Sequence, residues 1–124
     1  MRGIGIDAVS VSRIEKALFR TPGFAEAVFT SGERAECEGR PGRARALSYA
    51  SRFAAKEAFL KALGLGVLGP VSLPDVEVRT GGGGAATLSL GPTAAAALAR
   101  GGGAAPLLSL SNARDLAVAL VVVP

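Results

Sequence analysis

The chain has 124 residues, 49% of them hydrophobic, and its 14 basic and 10 acidic side chains give a net charge of +4. This length suits one compact domain, so we expect residues 1–124 to form a single domain. The positive charge favours a phosphorylated or acidic partner. The sequence has no histidine, which excludes Ser-His and Cys-His nucleophiles. Any catalysis must therefore use carboxylates, lysine, arginine, water or a metal.

Two features of the sequence argue against export or a membrane partner. The longest apolar run, Leu116–Val123, is far shorter than the ~20 residues that a membrane-spanning helix needs. Arg2 and Asp7 interrupt the N-terminal segment where a signal peptide has a long uncharged stretch. We therefore expect a cytoplasmic protein.

The first part of the chain predicts one strand and two short helices. Isoleucines alternate with glycines up to Asp7, which indicates a short strand that ends at this aspartate. Apolar residues at helical spacing follow as far as Arg20, and the Pro22-Gly23 pair separates this helix from a second one at residues 24–29. Residues 31–36 are polar and indicate a capped turn.

The remaining chain predicts one long helix and two hairpins. Residues 44–63 contain neither glycine nor proline and end before Gly64, which is typical of a helix and its cap. Alternation at period two then pairs residues 76–79 with 86–90 and residues 107–111 with 116–123, with a short helix at 94–100 between the hairpins. The pattern predicts an α+β fold of about five strands, with one main helix packed on a small antiparallel sheet.

Two charged residues of the main helix lie where apolar side chains are expected. At about 100° per residue, Glu57 and Lys61 fall within the apolar sector of this helix. They could form a surface ion pair worth ~0.3–0.5 kcal/mol, or they could line a site in which neighbouring alanines leave room for a ligand. We favour the ligand site, because a buried charge without a partner costs far more than a surface pair contributes.

Asp7 offers a second carboxylate. At the end of a glycine-rich strand it could cap the following helix or face a ligand in a cleft. Together with Glu57 it could supply the one or two carboxylates that Mg²⁺ commonly takes, with water and phosphate oxygens completing the octahedron.

The first helix carries a basic stripe, which consists of Arg13, Lys16 and Arg20 at helical spacing. Such a stripe is either a solvated face or a surface that steers an acidic partner.

Two segments resemble the signature motifs of one enzyme family. They are Gly3-Ile4-Gly5-Ile6-Asp7-x-Val9 followed by Arg13-Ile14, and Arg52-Phe53-Ala54-Ala55-Lys56-Glu57-Ala58-x-x-Lys61-Ala62-Leu63-Gly64. Their residues and spacing resemble those of the holo-acyl-carrier-protein synthases, which are magnesium-dependent phosphopantetheinyl transferases. The segment Leu108-Ser109-Leu110-Ser111 before the last strand also resembles this family, so the resemblance covers nearly the whole chain.

The resemblance implies the phosphopantetheinyl transferase fold and a homotrimer whose clefts lie between subunits. It implies transfer of the 4'-phosphopantetheine arm of coenzyme A to a serine of an apo acyl carrier protein, from fatty-acid or polyketide synthesis, with release of adenosine 3',5'-bisphosphate. Asp7 and Glu57 would bind Mg²⁺, and Lys61 would contact the phosphates. Arg52 would meet the 3'-phosphate, and the basic stripe would bind the carrier protein.

The chain departs from the family pattern at two places. Asn112 stands where the family usually has histidine; it can donate a hydrogen bond to a phosphate of coenzyme A but cannot act as a base. Asp115 or a metal-bound water would then have to accept the serine proton. The family's Gly-x-Pro hairpin is replaced by glycines up to Gly84, the residue of this loop that we expect at the cofactor.

Two other functions remain open. One is a related protein that binds coenzyme A or a carrier protein without transfer, which the asparagine would explain. The other is a basic nucleic-acid-binding module, but one tyrosine and five phenylalanines without an evident stacking array disfavour it. We favour the transferase and expect no nucleic-acid partner.

Overall fold

The computed structural model describes residues 1–81, 83 and 85–124, in which strands and helices are mixed along the chain. In order, its elements are β1 (Gly3–Ser10), α1 (Val11–Arg20), α2 (Phe24–Val28), α3 (Ser31–Glu38), α4 (Gly42–Ala62), the 3-10 turn Leu73–Asp75, β2 (Val76–Arg79), β3 (Thr87–Leu90), α5 (Pro92–Arg100), β4 (Leu107–Ala113) and β5 (Leu116–Val123). The predicted α+β class is confirmed. None of the helices in these ranges combines the length and the apolarity that crossing a membrane requires.

The strands form two antiparallel sheets. The larger sheet has the order β1-β5-β4, and β2 pairs with β3 in the smaller one. Alternate residues of β5 are buried, among them Ala117, Ala119 and Val121. The larger sheet therefore has one face in the core, as the period of a strand requires.

Helix α4 packs on this inner face, and β1 touches it directly. A Cβ atom added to Gly3 or Gly5 would collide with the carbonyl oxygen of Ala62 or Ala58, respectively. Only glycine fits at these two places, because the strand and helix backbones are in contact. The glycines of the first motif therefore fix β1 against α4.

Strand β1 is longer than the sequence indicates. It pairs with β5 as far as Ser10 opposite Leu116, and Asp7 lies opposite Ala119 in the middle of the ladder. The prediction that Asp7 ends the strand was wrong, because pairing with β5 continues through residues that show no apolar alternation.

Two other segments are more regular than predicted. Residues 31–36 belong to helix α3, where Thr30 and Glu33 form a complete capping box. Strand β4 continues through Ala113, so the last turn contains only Arg114 and Asp115. Arg114 has a φ of 53°, in the left-handed region that a two-residue hairpin turn needs. Because the turn is short, Asn112 lies in a strand and not in a loop.

Candidate active site

Asp7 and Lys61 meet where β1 crosses α4. The Nζ atom of Lys61 donates a hydrogen bond of 2.8 Å to Oδ1 of Asp7 and another of 3.1 Å to the carbonyl oxygen of Ile6. The Asp7 side chain is 9% exposed and the Lys61 side chain 52% exposed. The hydrogen bond to Asp7, followed by its charge, raises the pKa of Lys61 above the usual value. Lys61 is therefore a cation at neutral pH.

The second carboxylate oxygen of Asp7 is unsatisfied. Oδ2 is buried and has no hydrogen-bond partner within the described part of the chain. A buried acceptor in this state costs free energy, and an exception of this kind often marks a missing ion or water.

Glu57 adds a negative charge one helical turn before Lys61. Partial burial raises the pKa of Glu57, the charge of Asp7 raises it further, and Lys61 opposes both effects. The two carboxylates therefore repel each other in a partly desolvated environment. A hard divalent cation would relieve this repulsion and satisfy Oδ2 of Asp7, so these residues fit Mg²⁺.

The carboxylate pair provides only part of a magnesium coordination sphere. Residues 1–81, 83 and 85–124 contain no group of three or more His, Cys, Asp or Glu placed to hold a metal ion. The other positions of an octahedron would come from water and from oxygens of a ligand. This arrangement is typical of sites where Mg²⁺ meets phosphate.

A cavity of about 370 Å³ opens beside Glu57, at the end of β1 and between α1 and α4. Arg13 lines the same cavity, together with Phe24 and Phe53, whose ring centroids lie 6.2 Å apart. The walls thus combine apolar surface with one charge of each sign. A ligand that is partly apolar and carries acidic groups suits such a surface.

The basic stripe lies on the outer face of α1. Arg13, Lys16 and Arg20 are all exposed, and Ser10 caps the helix by accepting a 3.2 Å hydrogen bond from the backbone N–H of Arg13. Phe19 lies beside the stripe on α1 and is 90% exposed. The stripe therefore presents positive charge together with an exposed aromatic ring.

Arg52 lies apart from the carboxylates. It precedes Glu57 by five residues and points about 140° away around α4, into a depression of about 210 Å³. Its guanidinium donates to Oε2 of Glu36 at 2.6 Å and to Oγ of Ser48 at 2.5 Å. The Nε atom is buried and has no acceptor among the described residues.

Asn112 is also remote from the carboxylates. It is exposed near the end of β4 and pairs with Ala117, which in turn pairs with Val9. Asn112 and the strand of Asp7 are therefore separated by β5. Gly84, the other predicted cofactor contact, lies outside the described residues.

Asp115 has a structural role, because it binds the residues at the start of α1. Its carboxylate accepts hydrogen bonds of 2.6 Å from the hydroxyls of Ser10 and Ser12, and one of 3.1 Å from the backbone N–H of Ser12. These bonds, with the one from Ser10 first, lower the pKa of Asp115 to about 2. Such a group is a poor base at neutral pH, so Asp115 does not fit the proton-accepting role considered for it.

A buried ion pair next to Glu57 was missed by sequence reasoning. Lys56 is fully buried, and its Nζ donates to Oε1 of Glu33 at 2.7 Å and to two backbone carbonyls of the 3-10 turn and β2. Burial lowers the pKa of Lys56 and Glu33 opposes this effect. Oε2 of Glu33 accepts from the N–H of Val78 at 2.9 Å, so the pair joins α3, α4 and β2. The Thr30-x-x-Glu33 spacing was the available signal, because it marks a capping box.

Comparisons with known proteins identify one family. The 4'-phosphopantetheinyl transferase superfamily matches residues 3–121. A holo-[acyl-carrier-protein] synthase of Paramagnetospirillum magneticum is 50% identical over 98% of this chain and 94% of its own length. The crystal structure of holo-[acyl-carrier-protein] synthase from Neisseria meningitidis has a TM-score of 0.85 at 33% identity, and the match covers 100% of this chain and 98% of that one. The holo-(acyl-carrier-protein) synthase from Bacillus anthracis in complex with CoA (3',5'-ADP) has a TM-score of 0.81 at 37% identity, over 98% and 94% of the two chains.

The fold and the match over residues 3–121 define a phosphopantetheinyl transferase. The full-length similarity to named relatives shows that the chain belongs, within that superfamily, to the holo-acyl-carrier-protein synthase family. The resemblance of the two sequence motifs is thereby confirmed, and the protein is an enzyme.

Proposed function

We propose that this chain transfers the 4'-phosphopantetheine arm of coenzyme A to a serine hydroxyl of an apo acyl carrier protein, in a magnesium-dependent reaction. The serine oxygen bonds to the phosphorus nearer the pantetheine, and the bond from this phosphorus to the bridging oxygen breaks. The leaving group is adenosine 3',5'-bisphosphate, and the serine proton passes to a base. The proposal depends chiefly on Asp7, which bonds Lys61 through one oxygen, while its other oxygen is buried and has no partner among the residues that the structure describes.

Asp7 and Glu57 would hold the magnesium ion through their carboxylate oxygens. When bound, the ion supplies positive charge that stabilises the diphosphate of coenzyme A. The ladder to β5 fixes the backbone of Asp7, and helix α4 fixes that of Glu57. The backbones that carry both carboxylates are therefore in place before any ligand arrives.

Lys61 provides the positive charge of the chain itself. Two of its three N–H donors bond the described residues, at Asp7 and at the carbonyl of Ile6, and the third remains for a phosphate oxygen. Half of its side chain is exposed, so a phosphate can approach without displacing Asp7. Lys61 would thus stabilise charge on the leaving phosphate while its hydrogen bond holds the Asp7 side chain in place.

The adenosine end of coenzyme A would contact Arg52, Asn112 and the glycine hairpin that contains Gly84. A planar guanidinium can bind two phosphate oxygens at once, and an asparagine amide can donate one hydrogen bond. The relative from Bacillus anthracis is in complex with CoA (3',5'-ADP), which supports coenzyme A as the donor. Because Arg52 points away from Glu57, the cofactor must bend around α4 or span two chains.

A homotrimer of the single domain 1–124 would bring these residues together. The outer face of the larger sheet is apolar but exposed: Ile4 is 55%, Ile6 60% and Leu120 36% exposed. A contiguous apolar face of this kind is typical of a protein contact. For the site to be shared, a neighbouring copy would have to bring its own Arg52 or Asn112 to the carboxylates of the first chain.

The carrier protein would dock on α1 and at the cavity beside Glu57. Arg13 belongs to both surfaces, since it lies in the basic stripe and lines the cavity. The stripe attracts acidic side chains, and Phe24 and Phe53 offer apolar contact. The serine of the bound carrier protein would then face Glu57.

Mass spectrometry of candidate apo carrier proteins tests the proposed function. Incubation with coenzyme A and Mg²⁺ should add ~340 Da, the mass of the transferred arm. A carrier protein whose serine is replaced by alanine and a reaction with excess EDTA are the controls, and neither should gain mass. A protein that binds coenzyme A without transfer is the second candidate, which Asn112 favours; it predicts binding by calorimetry without any mass gain.

A further inference from the structure

We infer that Glu36 is an internal competitor for the phosphate-binding guanidinium of Arg52. In the free chain the Glu36 carboxylate occupies this guanidinium, and the 3'-phosphate of coenzyme A takes its place when the cofactor binds. The inference rests on the proposed function, because it takes this phosphate as the competing anion. Glu36 then sets how strongly the chain distinguishes coenzyme A from the same molecule without its 3'-phosphate.

The guanidinium of Arg52 has one nitrogen without a hydrogen-bond acceptor among the described residues. Nη1 donates to Oγ and to the carbonyl oxygen of Ser48, at 2.5 and 3.3 Å. Nη2 donates to a single oxygen of Glu36, and Nε, which forms a fork with Nη2, is buried without an acceptor among the described residues. The residue is only 4% exposed. An anion that bonded both atoms of the fork would satisfy a buried donor that Glu36 leaves unpaired.

Glu36 is the partner that can leave. Its side chain is 45% exposed, whereas that of Arg52 is 4% exposed. Returning a half-exposed carboxylate to water costs little, while Arg52 would keep an anionic partner throughout the exchange. Oε2 of Glu36 also accepts a 2.6 Å hydrogen bond from the hydroxyl of Thr80, so Thr80 helps to hold the carboxylate against Arg52.

Charge makes the two anions mutually exclusive. The depression at Arg52 is also lined by Arg40, and two arginines favour an anion there. A phosphate bound to the fork would lie at contact distance from the Glu36 carboxylate, where like charges repel strongly. Phosphate binding therefore requires Glu36 to turn away, and this step weakens the affinity for the phosphate.

A different role for Glu36 makes the opposite prediction. If Glu36 oriented Arg52 for the phosphate, its removal would weaken the binding of coenzyme A. A carboxylate with an orienting role would be expected to bond both donors of the fork, but Glu36 bonds only Nη2. The geometry thus favours competition.

The test compares coenzyme A with 3'-dephospho-coenzyme A in binding calorimetry. Glu36→Gln keeps an oxygen acceptor for Arg52 and Thr80 but removes the charge. It should lower the dissociation constant for coenzyme A about tenfold, as expected for a bond to a charged group, and leave that for the dephospho compound unchanged. Glu38→Gln is the matched control, because it removes the same charge from the same helix at a residue that pairs with Arg45. It should change neither constant.

A second variant tests the same inference in case Glu36→Gln fails to fold. Thr80→Val removes only the exposed hydrogen bond to Glu36. It should also lower the dissociation constant for coenzyme A, by a smaller factor than Glu36→Gln. The inference would be overturned if Glu36→Gln bound coenzyme A more weakly than the native chain. It would also be overturned if this variant lowered the dissociation constants of both ligands equally. Equal affinities of the native chain for the two ligands would also overturn it, although transfer to the carrier protein would still stand. A native chain that shows neither binding nor transfer would refute the proposed function itself.

Discussion

Lys61 donates a 2.8 Å hydrogen bond to Oδ1 of Asp7, while Oδ2 of the same carboxylate is buried without a partner in the described chain. The lysine therefore satisfies only half of this carboxylate. Glu57, with its raised pKa, adds further negative charge beside it. The cluster requires one more positive charge, and the proposed magnesium ion provides it.

Asp7→Asn and Glu57→Gln should each reduce transfer at least 100-fold, because each removes one of the two charges that hold the ion. Initial rates over a range of magnesium concentrations measure the loss. Glu26→Gln, at an exposed acid on α2, is the control and should keep its activity. Unchanged turnover in either site variant would eliminate the metal assignment.

Glu57→Gln should raise the stability of the chain at pH 7 when divalent cations are absent. The pKa of Glu57 is raised in the folded chain above 4.5, so the folded state binds a proton more readily than the unfolded state. Ionised Glu57 therefore costs stability above this raised pKa, and the cost disappears as the pH falls below the ordinary value. Urea unfolding at pH 7 and pH 4 measures the effect. A variant that is less stable than the native chain at pH 7 would contradict the argument.

Arg13→Glu should weaken carrier-protein binding about tenfold or more and leave coenzyme A binding nearly unchanged. The substitution reverses a charge on the surface where only the acidic protein is expected. Arg100→Glu, at the end of α5, makes the same charge reversal elsewhere and serves as the control. Calorimetry with each ligand measures both constants. Equal losses for both ligands, or no loss, would show that the basic stripe is only a solvated face.

Light scattering should give about three times the 12.4 kDa mass of one chain. Ile6→Glu should shift the protein towards monomers and reduce transfer, because it places a charge on the exposed apolar face of β1. Leu68→Glu, at a fully exposed residue away from β1, is a control for added charge. A native monomer with full activity would refute the trimer.

Asn112→His should lower the Michaelis constant for coenzyme A about fivefold and barely change the maximal rate. This outcome follows if residue 112 mainly donates to a phosphate, because a charge-assisted bond in place of a neutral one contributes on the order of 1 kcal/mol. A rate increase of ~100-fold with an unchanged Michaelis constant would instead mean that a base is missing from the native chain. Steady-state kinetics with one apo carrier protein distinguish the two results.

Much of the fold could be predicted because local signals were strong. The long run without glycine or proline marked α4 to within two residues at its start, and period-two alternation marked both hairpins. The placement of Glu57 and Lys61 in the apolar sector, together with the carboxylate at Asp7, indicated the cluster that the structure forms.

The contacts that were missed depend on distant parts of the chain. Arg52 and Glu36 are 16 residues apart, and Lys56 and Glu33 are 23 residues apart. These pairs form only because α3 packs against α4, which no local pattern specifies. The extension of β1 past Asp7 likewise depends on β5, at the other end of the chain.

Because β1 and α4 are in direct backbone contact, these two elements cannot move closer together when a ligand binds. The glycines bring the two backbones together, so the distance between the main chains that carry Asp7 and Glu57 is fixed by the fold. We therefore expect changes of carrier-protein preference to come from exposed residues such as those of the basic stripe, which can be substituted without disturbing this contact.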